Sequence, residues 1–146
     1  MKKHTLLLFH PRTFHSRNYR WFHVPYSLLS VAANVPREQY EVVLLDNNVM
    51  GKDDLTSELQ KLNGRPLCVG ISAMIGHQIT DGIEFAKCVR RYDERIPIVW
   101  GGALPTVLPD LTIQHEYTDM LVRGQGQVTF LVQNQAAFSV TARCDS

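Results

Sequence analysis

The sequence predicts a doubly wound α/β domain built on a parallel sheet, and three observations carry that expectation. Short apolar runs rich in β-branched residues alternate with segments of helical periodicity in units of roughly 25 residues. The run Leu67-Cys68-Val69-Gly70-Ile71-Ser72-Ala73-Met74 is bounded by Gly64-Arg65-Pro66 and Gly76, and reads as a strand buried on both faces. Helical segments flank it on either side in sequence, and a crossover helix is what joins neighbouring parallel strands.

Each element follows from its own residues. Residues 5–9 are apolar and stop at His10-Pro11, which makes a first strand. A long basic loop leads to Pro25, suited to a first helical position, and Leu28, Leu29, Ala32 and Val35 then recur at helical spacing until Pro36. Residues 40–45 form a second strand ending in the turn-forming cluster Asp46-Asn47-Asn48. Asp53 or Asp54 is placed to cap a helix with Leu55, Leu59 and Leu62 on one face and Gly64 as its stop. The 67–74 run is the third and central strand. From His77, the stripe Ile79, Ile83, Ala86 and Val89 predicts the longest helix. Residues 96–100 form strand four and break at Gly101-Gly102; a short helix within 105–115 precedes strand five at 120–122, and a fifth helix starts near Gln127. Five such units match the flavodoxin-like order 2-1-3-4-5, with ligands at the carboxyl ends of the strands. Residues 1–130 are expected to form the domain and 131–146 a C-terminal tail, a frayed or truncated helix.

Composition narrows the class. A chain of 146 residues suits one core that buries roughly two-thirds of its unfolded surface. Fifteen basic against 14 acidic residues leave a net charge of +1, with no global argument for nucleic acid or a membrane surface. Residues 1–37 are locally basic, with Lys2, Lys3, Arg12, Arg17, Arg20 and Arg37 and no carboxylate. Cys68, Cys88 and Cys144 are too widely spaced for a zinc or iron–sulfur motif, and buried thiols fit a reducing cytoplasm. No stretch approaches the ~20 apolar residues of a membrane span. A phosphoacceptor domain needs carboxylates where His10 and Ser72 stand, a dinucleotide enzyme needs a glycine-rich first turn, and a serine hydrolase needs a G-x-S-x-G elbow. None of these is present.

Four clusters fall on the ligand edge: the loop after strand one, Asp46-x-Asn48-x-x-Gly51, Ser72-x-Met74 and Gly101-Gly102. Their order resembles the cobalamin-binding signature D-x-H-x-x-G, S-x-L, G-G, with Ser72 standing 26 residues after Asp46. A closer resemblance is to the N-terminal cobalamin-binding domain of cobalamin-dependent radical S-adenosylmethionine proteins. It is carried by Pro25-Tyr26-Ser27-Leu28-Leu29-Ser30-Val31-Ala32, Leu44-Leu45-Asp46, Val69-Gly70-Ile71-Ser72, Val99-Trp100-Gly101-Gly102-Ala103-Leu104-Pro105-Thr106 and Val122-Arg123-Gly124-Gln125-Gly126-Gln127, and it covers about residues 5–130.

The resemblance implies that cobalamin is the partner, contacted by Asp46, Asn48, Gly51, Ser72, Ala73, Met74, Gly101, Gly102, Gly124 and Gly126. Gly101 and Gly102 would let backbone approach the nucleotide tail, Ser72 would offer a hydroxyl to it, and Met74 would give soft contact beneath the ring. Asn48 occupies the place of the cobalt-ligating histidine, and a carboxamide lacks the imidazole nitrogen. The implied state is therefore base-off cobalamin without histidine ligation. Gln125 and Gln127 replace glutamates frequent in relatives. The sequence contains no C-x-x-x-C-x-x-C, so no iron–sulfur cluster and no complete catalytic apparatus are expected in this chain. A separate radical S-adenosylmethionine domain or protein would supply the chemistry. The alternative is a truncated or degenerate α/β module acting only in protein interaction.

Overall fold

A computed structural model describes residues 3–14, 23–50, 55–126 and 130 of the chain. Five strands, β1 (His4–His10), β2 (Tyr40–Asp46), β3 (Cys68–Ser72), β4 (Ile98–Gly101) and β5 (Met120–Leu121), form one sheet in the order β2-β1-β3-β4-β5. Every neighbouring pair is parallel. The helices are α1 (Tyr26–Asn34), α2 (Asn47–Met50), α3 (Leu55–Gln60), α4 (His77–Tyr92), α5 (Ala103–Val107) and α6 (Pro109–Ile113). This is the doubly wound, flavodoxin-like order expected from the sequence, with β3 in the middle.

Strand alternation sorts the core into two layers. Leu7, Phe9, Val69, Ile71, Ile98 and Trp100 pack on one face with Leu59 of α3 and Phe85, Ala86 and Val89 of α4. Leu6, Leu8, Cys68 and Val99 pack on the other with Leu28 and Val31 of α1. Full burial of each large side chain contributes about 1.5–3 kcal/mol, so continuous apolar strands are what a sheet covered on both faces selects. Among the described residues no helix is long and apolar enough to cross a membrane.

Three details differ from the sequence expectation. The buried face of α4 is centred on Gln78, Gly82, Phe85, Ala86 and Val89, while Ile79 and Ile83 are half-buried at its margin. Gly82 explains the rotation, because a Cβ there would stand 2.7 Å from the Trp100 ring and 3.2 Å from Ile71. The segment after β2 is not a simple turn: Asp46 ends the strand and its carboxylate accepts the Asn48 N–H at 3.0 Å, starting the short helix α2. The single helix expected within 105–115 is two, because Pro109 lacks the N–H to continue α5 but opens α6 well. Asp53, Asp54, Gln127 and the 131–146 tail lie outside the described residues.

Trp100 cannot swing away from α4, since its indole N–H donates to the Tyr117 carbonyl at 2.9 Å. Gly82→Ala should therefore destabilise the fold by about 1–3 kcal/mol through overpacking, although alanine is the better helix former by about 1 kcal/mol. Urea unfolding of the two proteins measures the sign directly; a stabilised variant would show that the helix has room to move off the indole.

Candidate functional site

Parallel pairing in register sets side chains of one face in rows across the sheet. On the α1 face, Leu44, Leu8, Gly70 and Val99 form one row. Two residues further along each strand, at the carboxyl edge, stand Asp46, His10, Ser72 and Gly101. Glycines occupy β3 in the first row and β4 in the second, and the surface beneath α1 is hollowed beside them. A cavity of about 250 Å³ results. Leu8, Leu28, Val31, Val99, Val122 and Phe130 give it an apolar lining, and Ser27, Ser72, Gly101, Gly102, Gly124, Gln125 and Gly126 surround it towards the strand ends.

The glycines have distinct causes. A Cβ on Gly101 would meet nothing nearer than Val122 at 4.0 Å, so its missing side chain leaves open space. At Gly102 φ is +92° and a Cβ would stand 2.8 Å from the Ala73 carbonyl oxygen and 3.1 Å from Ser72 Oγ. That glycine is demanded by the protein's own backbone rather than by room for a ligand. A Cβ on Gly70 would press on Leu8 at 2.9 Å and Phe130 at 3.3 Å. Thr106 Oγ1 fastens the far rim, donating to the Gly102 carbonyl at 2.8 Å and accepting the Gly124 N–H at 2.9 Å. Ser72 Oγ lies 3.2 Å from Ser27 Oγ. It does not cap α4, which follows Gly76 without a side-chain cap.

Of the residues expected to contact cofactor, the cavity brings together Ser72, Gly101, Gly102, Gly124 and Gly126. Asp46, Asn48 and Met74 do not line it, Ala73 is fully buried, and Gly51 lies outside the described residues. Asn48 is used internally: Oδ1 accepts the Thr13 N–H at 2.9 Å, and Nδ2 donates to Asp46 at 2.9 Å and to the Pro11 carbonyl at 3.2 Å. Met74 and Ile75 are instead 62% and 60% exposed on the edge after β3.

Two residues not anticipated from sequence complete the edge. Buried Gln78 accepts the Met74 N–H at 2.8 Å and donates to the Pro11 carbonyl and to Thr13 Oγ1. Asp81 accepts the Arg12 N–H at 2.6 Å and the Asn47 amide at 2.9 and 3.0 Å. The loop after β1 is thereby tied to α2, to α4 and to the loop after β3. Gly70 was also legible in principle, since an isolated strand glycine signals close approach of another group.

His10 is 8% exposed, and neither ring nitrogen has a hydrogen-bond partner among the described residues. Burial holds its pKa below the usual histidine value; the Asp46 carboxylate opposes this and His23 adds to it. Desolvation pushes the Cys68 thiol up to about 12, so it is an inert core group. Among the described residues no group of three His, Cys, Asp or Glu is placed to hold a metal ion.

Known proteins are similar to this chain. A model of the B12 binding domain matches residues 17–132. An uncharacterized methyltransferase of Pyrococcus horikoshii is 30% identical over 105 residues, which is 70% of this chain and 22% of that protein. The solved structure of the cobalamin-dependent S-adenosylmethionine radical enzyme OxsB, with aqua-cobalamin and S-adenosylmethionine bound, superposes with a TM-score of 0.77 at 16% identity, over 99% of this chain and 20% of that one. This chain thus spans about a fifth of the length of each relative. With most of its length matched by that family model, the chain belongs to the B12 binding domain family.

Proposed function

We propose that this domain holds cobalamin by its nucleotide tail, with the tail's aromatic base in the cavity beneath α1 and the corrin over the carboxyl edge beside Met74 and Ile75. The observation that carries this reading is the apolar hollow bordered by Gly70 and left open over Gly101, in a sheet otherwise filled on both faces. An apolar cavity of roughly 150 Å³ accepts benzene, so about 250 Å³ suits a fused two-ring base. The hydroxyls of Ser27 and Ser72 then meet the polar part of the tail, and the exposed thioether of Met74 offers soft contact to the ring.

A base seated in the cavity is a base removed from cobalt. The Asn48 carboxamide is engaged by Pro11, Thr13 and Asp46, and the 46–51 segment has no histidine to take the base's place. When bound, cobalamin supplies a corrin-held cobalt centre able to carry a methyl group. The radical step needs an iron–sulfur cluster and S-adenosylmethionine, for which a domain outside these 146 residues is the source. The methyltransferase name of the Pyrococcus horikoshii relative supports methyl transfer as the class of reaction served.

A ligand that binds only the folded state adds about 2.7 kcal/mol at a hundredfold excess over Kd, and each kcal/mol moves the midpoint by about 2–4 °C in a domain of this size. Saturating hydroxocobalamin should accordingly raise the melting temperature by several degrees. Gly101→Val should abolish that rise while changing the unliganded midpoint little, because its Cβ has space. Gly102→Val should lower the unliganded midpoint itself, through ~1–3 kcal/mol of backbone strain at its positive φ. A folded wild-type protein that no cobalamin form stabilises would point instead to a module used only in protein interaction.

The cobalt state has its own signature. Electron paramagnetic resonance of the cob(II)alamin complex should show no nitrogen superhyperfine splitting from cofactor base or protein histidine. Splitting that disappears when one of the histidines is replaced would refute the ligand-free assignment.

A further inference from the structure

His10 is a buried polar side chain on the cavity's face of the sheet, and among the described residues nothing hydrogen-bonds its ring. The alternation of β1 places it on the same face as Leu8, which lines the cavity, and one residue beyond the Phe9–Ile71 pair, level with Ser72. Neighbouring strands lie about 4.8 Å apart, so on this face the next position across the sheet from His10 is Ser72, whose hydroxyl is next to that of Ser27. Both nitrogens are buried and unmet by any described residue. Native interiors seldom leave such groups unpaired, and an apolar residue of similar shape would fit the strand at lower cost. A residue kept at a cost to the fold points to a partner that arrives with the ligand.

Resting on the cobalamin reading, we propose that His10 donates a hydrogen bond to the phosphodiester of the nucleotide tail, alongside Ser27 and Ser72. With the base in the apolar depth, the sugar-phosphate linker reaches the level of this row. A phosphodiester offers only acceptors, and all three side chains have a proton to give. Among the described residues no lysine or arginine lines the cavity, and uncharged donors there are what meets the anion. Asp46, the carboxylate of the same row, is separated from Ser72 by the histidine, and its Oδ1 is turned to Asn48.

The deciding variant is His10→Leu. Its unliganded melting temperature should equal or exceed that of the wild type, because a buried unmet polar group is gone. Its Kd for hydroxocobalamin should rise roughly tenfold or more, the loss of one hydrogen bond to a charged acceptor. The phosphorus NMR resonance of bound cobalamin should differ between wild type and His10→Leu, and His10→Gln, which retains an N–H donor, should recover part of the affinity. Wild-type-like affinity and an unchanged phosphorus resonance in His10→Leu would overturn the proposal while leaving cobalamin binding intact. So would a fall of several degrees in the unliganded midpoint, which would make the residue structural. A wild-type protein that binds no cobalamin overturns the cobalamin reading and this contact with it.

Discussion

A parallel sheet covered on both faces has no interior room unless some of its residues give up their side chains. Here the omission is confined to one face of two adjacent strands, at Gly70 in β3 and Gly101 in β4. The opposite face of the same strands is filled to contact by Ile71 and Trp100, and a helix glycine, Gly82, is needed to admit the indole. The position of the site thus follows from how volume is divided between the two sides of β3 and β4. Removing side chains from a central strand costs packing, and the large side chains behind it supply compensating burial.

A hollow is useful only if its rim keeps its shape. Three separate side-chain bridges do this: Gln78 between the loops after β1 and β3, Asn48 between α2 and the loop after β1, and Thr106 between Gly102 and Gly124. Each joins segments distant in sequence that sheet pairing alone would leave independent. Buried networks of this kind fix geometry strongly when every member is satisfied. Among the described buried groups at this edge, His10 and the Asn47 Oδ1 are the exceptions. The rim is preorganised apart from them, which lowers the ordering cost of taking up a ligand.

Much of this was legible in the sequence. The 67–74 run reads as a central strand because continuous apolarity has no other use in an alternating α/β pattern, and β3 is central. Ser72 and the Gly101-Gly102 doublet are visible for the same reason: small residues directly after an apolar run mark the ligand edge. The buried face of α4 was not legible, because hydropathy favours Ile79 and Ile83 over a glycine and a glutamine. Contact distance and hydrogen bonding, which periodicity does not encode, made Gly82 and Gln78 the inner residues. Asp46 and Asn48 show the complementary limit. A polar cluster at a strand end is equally fit to face a ligand or to tie loops together, and only its partners distinguish the two.

The adjacent glycines at the end of β4 answer to different selective pressures. Gly102 is held by backbone conformation, so every working copy of the fold must retain it whether or not anything is bound. Gly101 is free of that requirement and is constrained only while the hollow has an occupant. In a lineage that gave up its cofactor, drift would fill the first position and spare the second. The doublet therefore records two histories, and a descendant carrying a side chain before a surviving glycine would mark a scaffold that had outlived its ligand.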